Sequence, residues 1–141
     1  MSQITLAQAN QIIDAALKAG REKNMQQLTV VVLDTGGHTV ALQREDNSGI
    51  LRVEVATGKA YGALGMGVST RKVGAANTDR PAFLASVASA SDGRFVPVAG
   101  GVLVRNSDGD LIGAVGVSGD NSDNDEIAAM AGIEAVGLTA A

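Results

Sequence analysis

Gly101-Val-Leu-Val-Arg-Asn-Ser-Asp-Gly-Asp-Leu-Ile-Gly-Ala-Val-Gly-Val-Ser118 decides the fold. Two aliphatic, β-branched runs flank Asn106-Ser-Asp-Gly109, a turn whose glycine supplies positive φ, so the segment predicts a β-hairpin. An earlier stretch repeats the pattern. Leu28 to Leu33 is a continuous β-branched and aliphatic run, Asp34-Thr-Gly-Gly37 turns, and His38 to Arg44 returns. A run without polar alternation marks a strand covered on both faces. The likeness of Leu33–Val40 to Arg105–Ile112 is attributed to shared turn chemistry rather than to duplication.

Helical signals surround the hairpins. Thr5-Leu-Ala-Gln8 reads as a capping box, followed by a stripe of Leu6, Ala9, Ile13, Ala16 and Leu17, with the helix expected to end near Gly20. After the Ser48-Gly49 break, Ile50, Val53, Thr57, Ala60 and Leu64 recur at helical spacing. Gly58, Gly62 and Gly65 each weaken that helix by roughly 1 kcal/mol, which predicts close packing beside it. The segment 69–79 reads as irregular or partly helical. Asp79 is the expected cap of a helix opening at Pro81, with Phe83, Leu84, Val87 and Ala88 on its apolar side. Asp123 is the expected cap of the last helix, with Glu126 bonding back to it. Helix, hairpin, helices, hairpin, helix is the order of an α+β protein: an antiparallel sheet with helices packed on it.

Composition bounds the function. The chain has 141 residues, suited to a single domain over 1–141, and 45% of them are hydrophobic. Aromatics make up only 2%, Trp is absent and Gly numbers 18, which predicts tight helix-on-sheet packing. Net charge is -4 and the pI is about 4.8, and no basic patch is interleaved with aromatics, so nucleic acid is not an expected partner. The absence of Cys excludes disulfides, thiolate metal sites and Cys nucleophiles. No run is apolar enough for a bilayer and no signal-peptide layout opens the chain, so a cytoplasmic protein is expected, without a membrane partner.

Several residues are candidates for chemistry. His38, the one imidazole, could serve as an axial heme ligand or a general acid/base, with Asp34 as the nearby orienting carboxylate. Gly100-Gly101 could present backbone N–H donors to an anion or oxyanion. Lys59, Tyr61 and Arg71 could face a pocket beside the glycine-rich helix, the two cations binding a carboxylate or propionate. Asp120-Asn-Ser-Asp-Asn-Asp-Glu126 superficially suggests a metal loop, but an EF-hand would need Gly where Asp125 stands and Glu where Ala131 stands. It reads instead as a loop and helix cap, and no metal site is expected. Gly116-Val-Ser-Gly119 lacks the G-x-S-x-G of a nucleophile elbow.

The strings Phe95-Val-Pro-Val-Ala-Gly-Gly-Val-Leu-Val-Arg105, Asp108-Gly-Asp-Leu-Ile-Gly-Ala-Val-Gly-Val-Ser-Gly119 and Asp125-Glu-Ile-Ala-Ala-Met-Ala-Gly132 together closely resemble the GlcG/HbpS family. That family includes the C-terminal domain of PduO-type proteins. Val32–Leu42 and Ala56-Thr-Gly-Lys-Ala60 are also similar to its pattern, so the likeness spans nearly the whole chain. The resemblance implies a profilin-like fold, an antiparallel sheet flanked by helices, assembled into homo-oligomers. It also implies a small-molecule ligand: some members bind heme, one branch is linked to heme degradation and redox sensing, and others lie beside glycolate or diol metabolism. With one His and no Cys, heme ligation here would draw on His38, Met66, Tyr61, a weaker hydroxyl or a partner chain. The Glu-x-x-Glu iron motif of the sensory branch has no counterpart in Arg52-Val-Glu-Val-Ala-Thr-Gly-Lys59.

Three roles follow. The first is a small-ligand-binding protein for heme or another tetrapyrrole, with Lys59, Tyr61, Arg71, Phe95, Gly100, Gly101 and Asp125 at the ligand. The second is a cofactor-independent enzyme acting on a small organic acid or carbonyl compound. There Gly100 and Gly101 supply donors, and Glu126, Asp125 or His38 supplies the acid/base. The third is a structural oligomer. A site would draw on both hairpins, or on one hairpin and a neighbouring subunit.

Overall fold

The computed structural model describes residues 2–141. Helix α1 (Leu6–Glu22) leads into β1 (Thr29–Leu33) and β2 (Thr39–Arg44). Then come α2 (Arg52–Met66), α3 (Thr70–Ala76) and α4 (Pro81–Ala90). Strands β3 (Gly101–Arg105) and β4 (Leu111–Ser118), helix α5 (Ser122–Ala135) and the short β5 (Thr139–Ala140) complete the chain. The sheet is antiparallel throughout, in the order β2-β1-β4-β3-β5. The two hairpins thus lie side by side, joined through β1 and β4. Among the described residues no helix is long and apolar enough to cross a membrane.

Both hairpins turn in the same way. The Asp34 carboxylate accepts the N–H groups of Gly36 (2.9 Å) and His38 (3.0 Å), as the Asn106 carbonyl accepts those of Asp108 (3.0 Å) and Asp110 (2.9 Å). Gly37 and Gly109 take φ of 82° and 84°. A short polar side chain that satisfies the turn's own amides, followed by a left-handed glycine, accounts for the sequence likeness locally.

β1 is buried along its whole length, as its apolar run predicts. Val30 and Val32 face α1 and α5, where they meet Ile12, Ile13 and Ile133; Val31 and Leu33 face α2, where they meet Ala56, Ala60 and Ala63. The α2 layer is built on backbone proximity. A Cβ on Gly116 would stand 1.9 Å from the Ala56 carbonyl oxygen, and one on Gly101 would stand 2.2 Å from that of Lys59. This is the small-residue packing that the composition implies.

Local expectations fare unevenly. The α1 capping box is present in both directions, each bond 3.0 Å long. α1 does not stop at Gly20, however. That glycine is buried inside the helix because Leu28 occupies the space a Cβ would take. The α2 stripe is also rotated from its expected position: Ile50 is 92% exposed, and the covered face is Ala56, Lys59, Ala60 and Ala63. Gly58 and Gly62 do admit neighbours, Val96 and Phe95, but Gly65 faces open space. Arg80, not Asp79, holds the N-cap position of α4. Asn121, not Asp123, caps α5, by accepting the Asn124 N–H.

Candidate functional site

Strand register sets the geography of the candidate residues. Thr29 pairs with Ser118 at one end of the central strands, and Leu33 pairs with Ala114 at the other. The His38 turn leaves from the Leu33 end, whereas α5 departs from the Ser118 end. Four residue steps of β1, about 13 Å, separate them. The candidates fall into two groups accordingly.

At the Ser118 end stand Lys59, Arg71, Gly100, Gly101, Asp125 and Glu126, and nearly all are engaged with one another or with neighbours. Lys59 reaches past the start of β3 to donate to Val117 O (3.0 Å) on the adjacent β4 and to Asp125 Oδ2 (3.0 Å). Asp125 Oδ1 in turn accepts the Asp120 N–H at 2.9 Å. Burial pushes the Lys59 ammonium below its ordinary pKa and the Asp125 carboxyl above its own, while their mutual attraction opposes both shifts. Gly100, at φ 125°, makes room for the lysine, since a Cβ there would stand 2.9 Å from Nζ. The Gly101 N–H donates to Thr70 Oγ1 at 2.9 Å, so it offers no free donor to an oxyanion. Arg71 donates to Glu126 (2.8 Å) and to Asp123, which raises its own pKa and removes Glu126 from its expected back-bond to Asp123. The acid/base candidates on α5 are thus occupied by cations, and the organic-acid enzyme finds no support in this arrangement.

The other end gathers His38, Tyr61 and Phe95. α2 carries Tyr61 against the first hairpin, where the ring lies so close that a Cβ on Gly37 would stand 2.7 Å from it. Two recesses flank this ring. One, of about 150 Å³, is lined by Thr35, Gly36, Gly37, Leu64 and Gly65; the other, of about 80 Å³, by Gly65, Met66, Val87, Ser91, Arg94 and Phe95. His38 lines neither recess: its ring lies against Gly36, its side chain is 81% exposed, and Nδ1 is 3.2 Å from Asp34 Oδ1. Backbone donation from His38, with lesser help from Gly36 and the imidazole, holds the Asp34 carboxyl below its ordinary pKa. Arg94 lies over the Tyr61 ring, 4.4 Å from its centroid. Sequence reasoning names Leu64 only as part of an apolar helical stripe and does not single out Arg94; the only hint is that Arg94 directly precedes Phe95 in the family-like string. A larger recess, of about 490 Å³, is an open polar groove around Gln27, Gln43 and Arg44 that holds none of the candidates.

An all-antiparallel five-stranded sheet with α1 and α5 on one face and α2 on the other defines an α+β protein of the profilin-like kind. The model of the family described as haem degrading protein HbpS-like matches residues 4–134, and this chain belongs to that family. An uncharacterized 15.0 kDa protein from the dhaT-dhaS intergenic region of Citrobacter freundii is 31% identical over 134 residues, covering 95% of this chain and 92% of its own. The Klebsiella pneumoniae protein ORFY superposes with a TM-score of 0.85 at 28% identity, over 95% of this chain and 90% of its own. A PduOC:heme complex superposes with a TM-score of 0.86 at 23% identity, over 97% of each chain.

Proposed function

We propose that this protein binds heme or a related tetrapyrrole on the surface around Tyr61, and that a second copy of the chain covers that surface. The observation that carries the reading is that Tyr61 lines a recess together with Met66 and packs against Gly37, in the turn that leads into His38. Tyr, Met and His are three of the side-chain types that ligate heme iron, and Tyr61 and Met66 stand beside carbon surface from Leu64, Val87 and Phe95. Membership of a haem-degrading-type family and the existence of a fold neighbour solved with heme support it further.

The residues fit as one wall of a site. Ligand pockets usually enclose about 300–1,000 Å³, and the recesses beside Tyr61 are about 150 and 80 Å³. A macrocycle would therefore lie across them rather than inside, leaving its outer face for a partner subunit. When bound, the heme would supply the redox chemistry. The chain's own part is to offer a ligand atom from His38, Tyr61 or Met66 and a dry apolar edge.

Heme titration tests this. A shifted, saturable Soret band is expected, weakened in at least one of His38→Ala, Tyr61→Phe and Met66→Leu, with a stoichiometry matched to the assembly size found by light scattering. A featureless titration of the folded protein would remove heme.

A further inference from the structure

Arg94 differs from every other arginine of the chain. Arg21, Arg44, Arg52, Arg71, Arg80 and Arg105 each use a terminal guanidinium nitrogen in a hydrogen bond. Arg94 uses only Nε, which donates to Ser91 O at 2.9 Å. Among the described residues, no carboxylate stands within ion-pair distance of it. Two contacts nonetheless hold the guanidinium: its Cζ lies over the Tyr61 ring, and its Nε is tied to Ser91 O. Stacking and a tether on one edge restrict the rotamers that a surface arginine would otherwise explore, and both terminal NH2 groups stay available as a fork. The fork stands at the mouth of the recess walled by Tyr61, Met66, Val87 and Phe95.

We propose that Arg94 is a preset carboxylate anchor, and that the ligand it selects carries its carboxylate on a flat apolar body whose edge enters the recess beside Tyr61. A guanidinium matches a carboxylate with two parallel N–H···O bonds, and prior ordering reduces the entropy lost on binding. The recess of about 80 Å³ admits one ring or edge of such a body. This deepens the heme reading, since heme bears propionates, and it shares the same face of the molecule. Its test therefore uses a probe without iron.

The probe is 2-naphthoate, titrated against 2-naphthalenemethanol as the uncharged analogue, with the Tyr61 ring and Arg94 Nε–H resonances followed by NMR. Naphthoate is expected to shift both and to bind at least tenfold more tightly than the alcohol. Arg94→Gln, a surface change whose folding is checked by melting temperature, should erase that preference, and Arg94→Lys should keep only part of it. Equal binding of the two probes, preference retained in Arg94→Gln, or no shift up to the solubility limit of naphthoate would each overturn the anchor. Heme binding without Arg94-dependent naphthoate binding would sink the anchor and leave the heme reading standing. Arg94-dependent naphthoate binding without a Soret shift would do the reverse.

Discussion

Lys59 Nζ and Asp125 Oδ2 lie 3.0 Å apart with their side chains 2% and 1% exposed, so α2 and α5 are joined by an ion pair sealed from water. Among the described residues, Lys59 is the largest fully buried side chain. Removing one partner leaves the other charge stranded, which typically costs about 3–5 kcal/mol, whereas replacing both with apolar groups is often close to neutral. Lys59→Met is therefore expected to lower urea-unfolding stability by about 3 kcal/mol or more, and Lys59→Met with Asp125→Leu to recover most of it. A single variant within about 1 kcal/mol of the parent would show that the pair is not structurally coupled.

Acid should weaken the fold through two other carboxylates. Asp120 accepts the backbone N–H of Gln26 and of Asn121 and a side-chain N–H of Asn124, and Asp34 accepts those of its turn, so both have pKa values below 3.8. Below that value the unfolded chain takes up protons that the native state refuses. The stabilisation is thus present above pH 3.8 and is lost as pH falls through the depressed folded values. Urea midpoints should decline between about pH 5 and pH 2, and Asp120→Asn should flatten that decline. An unchanged acid slope in the variant would contradict this assignment.

Two glycines should respond oppositely to alanine. Gly116→Ala drives a methyl to 1.9 Å from the Ala56 carbonyl oxygen, a backbone atom that can yield only if α2 moves. A loss of about 1–3 kcal/mol or more is expected. Gly65 lies in the same helix with nothing within 4 Å, so Gly65→Ala should gain about 0.5–1 kcal/mol. Thermal melts of the two variants side by side would settle the contrast; equal shifts would refute it.

Arg71 should matter little for stability despite its two carboxylate partners, because its side chain is 48% exposed. Exposed pairs contribute about 0–1 kcal/mol and weaken with salt. Arg71→Ala is expected to leave the urea-unfolding midpoint close to the parent's, with any small loss shrinking further at high ionic strength. A larger, salt-insensitive loss would mean that the α3–α5 contact depends on it.

What could be foreseen depended on the range of the interaction. The capping box at Thr5 and both hairpin turns are encoded within five residues, and they formed as read. The resemblance to the HbpS-like family also placed the sheet and its flanking helices correctly. The buried role of Lys59 could not be seen locally, because its partner lies on α5 and a lysine after Gly58 looks like a surface group. The cap of α5 was misplaced because Asp120, Asn121, Ser122 and Asp123 are all competent caps, and only tertiary contacts choose among them: Asp120 is drawn to Gln26 and Asp123 to Arg71. β5 is two residues long and carries no strand signal. The separation of His38 from Glu126 follows from strand register, which no single segment specifies.

Pairing β1 with β4 also governs how the molecule is made. As the chain is synthesised, one flank of β1 and the buried stripe of α1 wait for β4 and α5, which are translated only after α2, α3, α4 and β3. Ile12, Ile13, Val30 and Val32 therefore stay incompletely covered until those elements emerge. Contacts between the two ends of a chain form slowly and leave apolar surface open to aggregation in the meantime. A nascent chain stalled before Leu111 should be protease-sensitive and bound by chaperones, and one released after Ala135 should not.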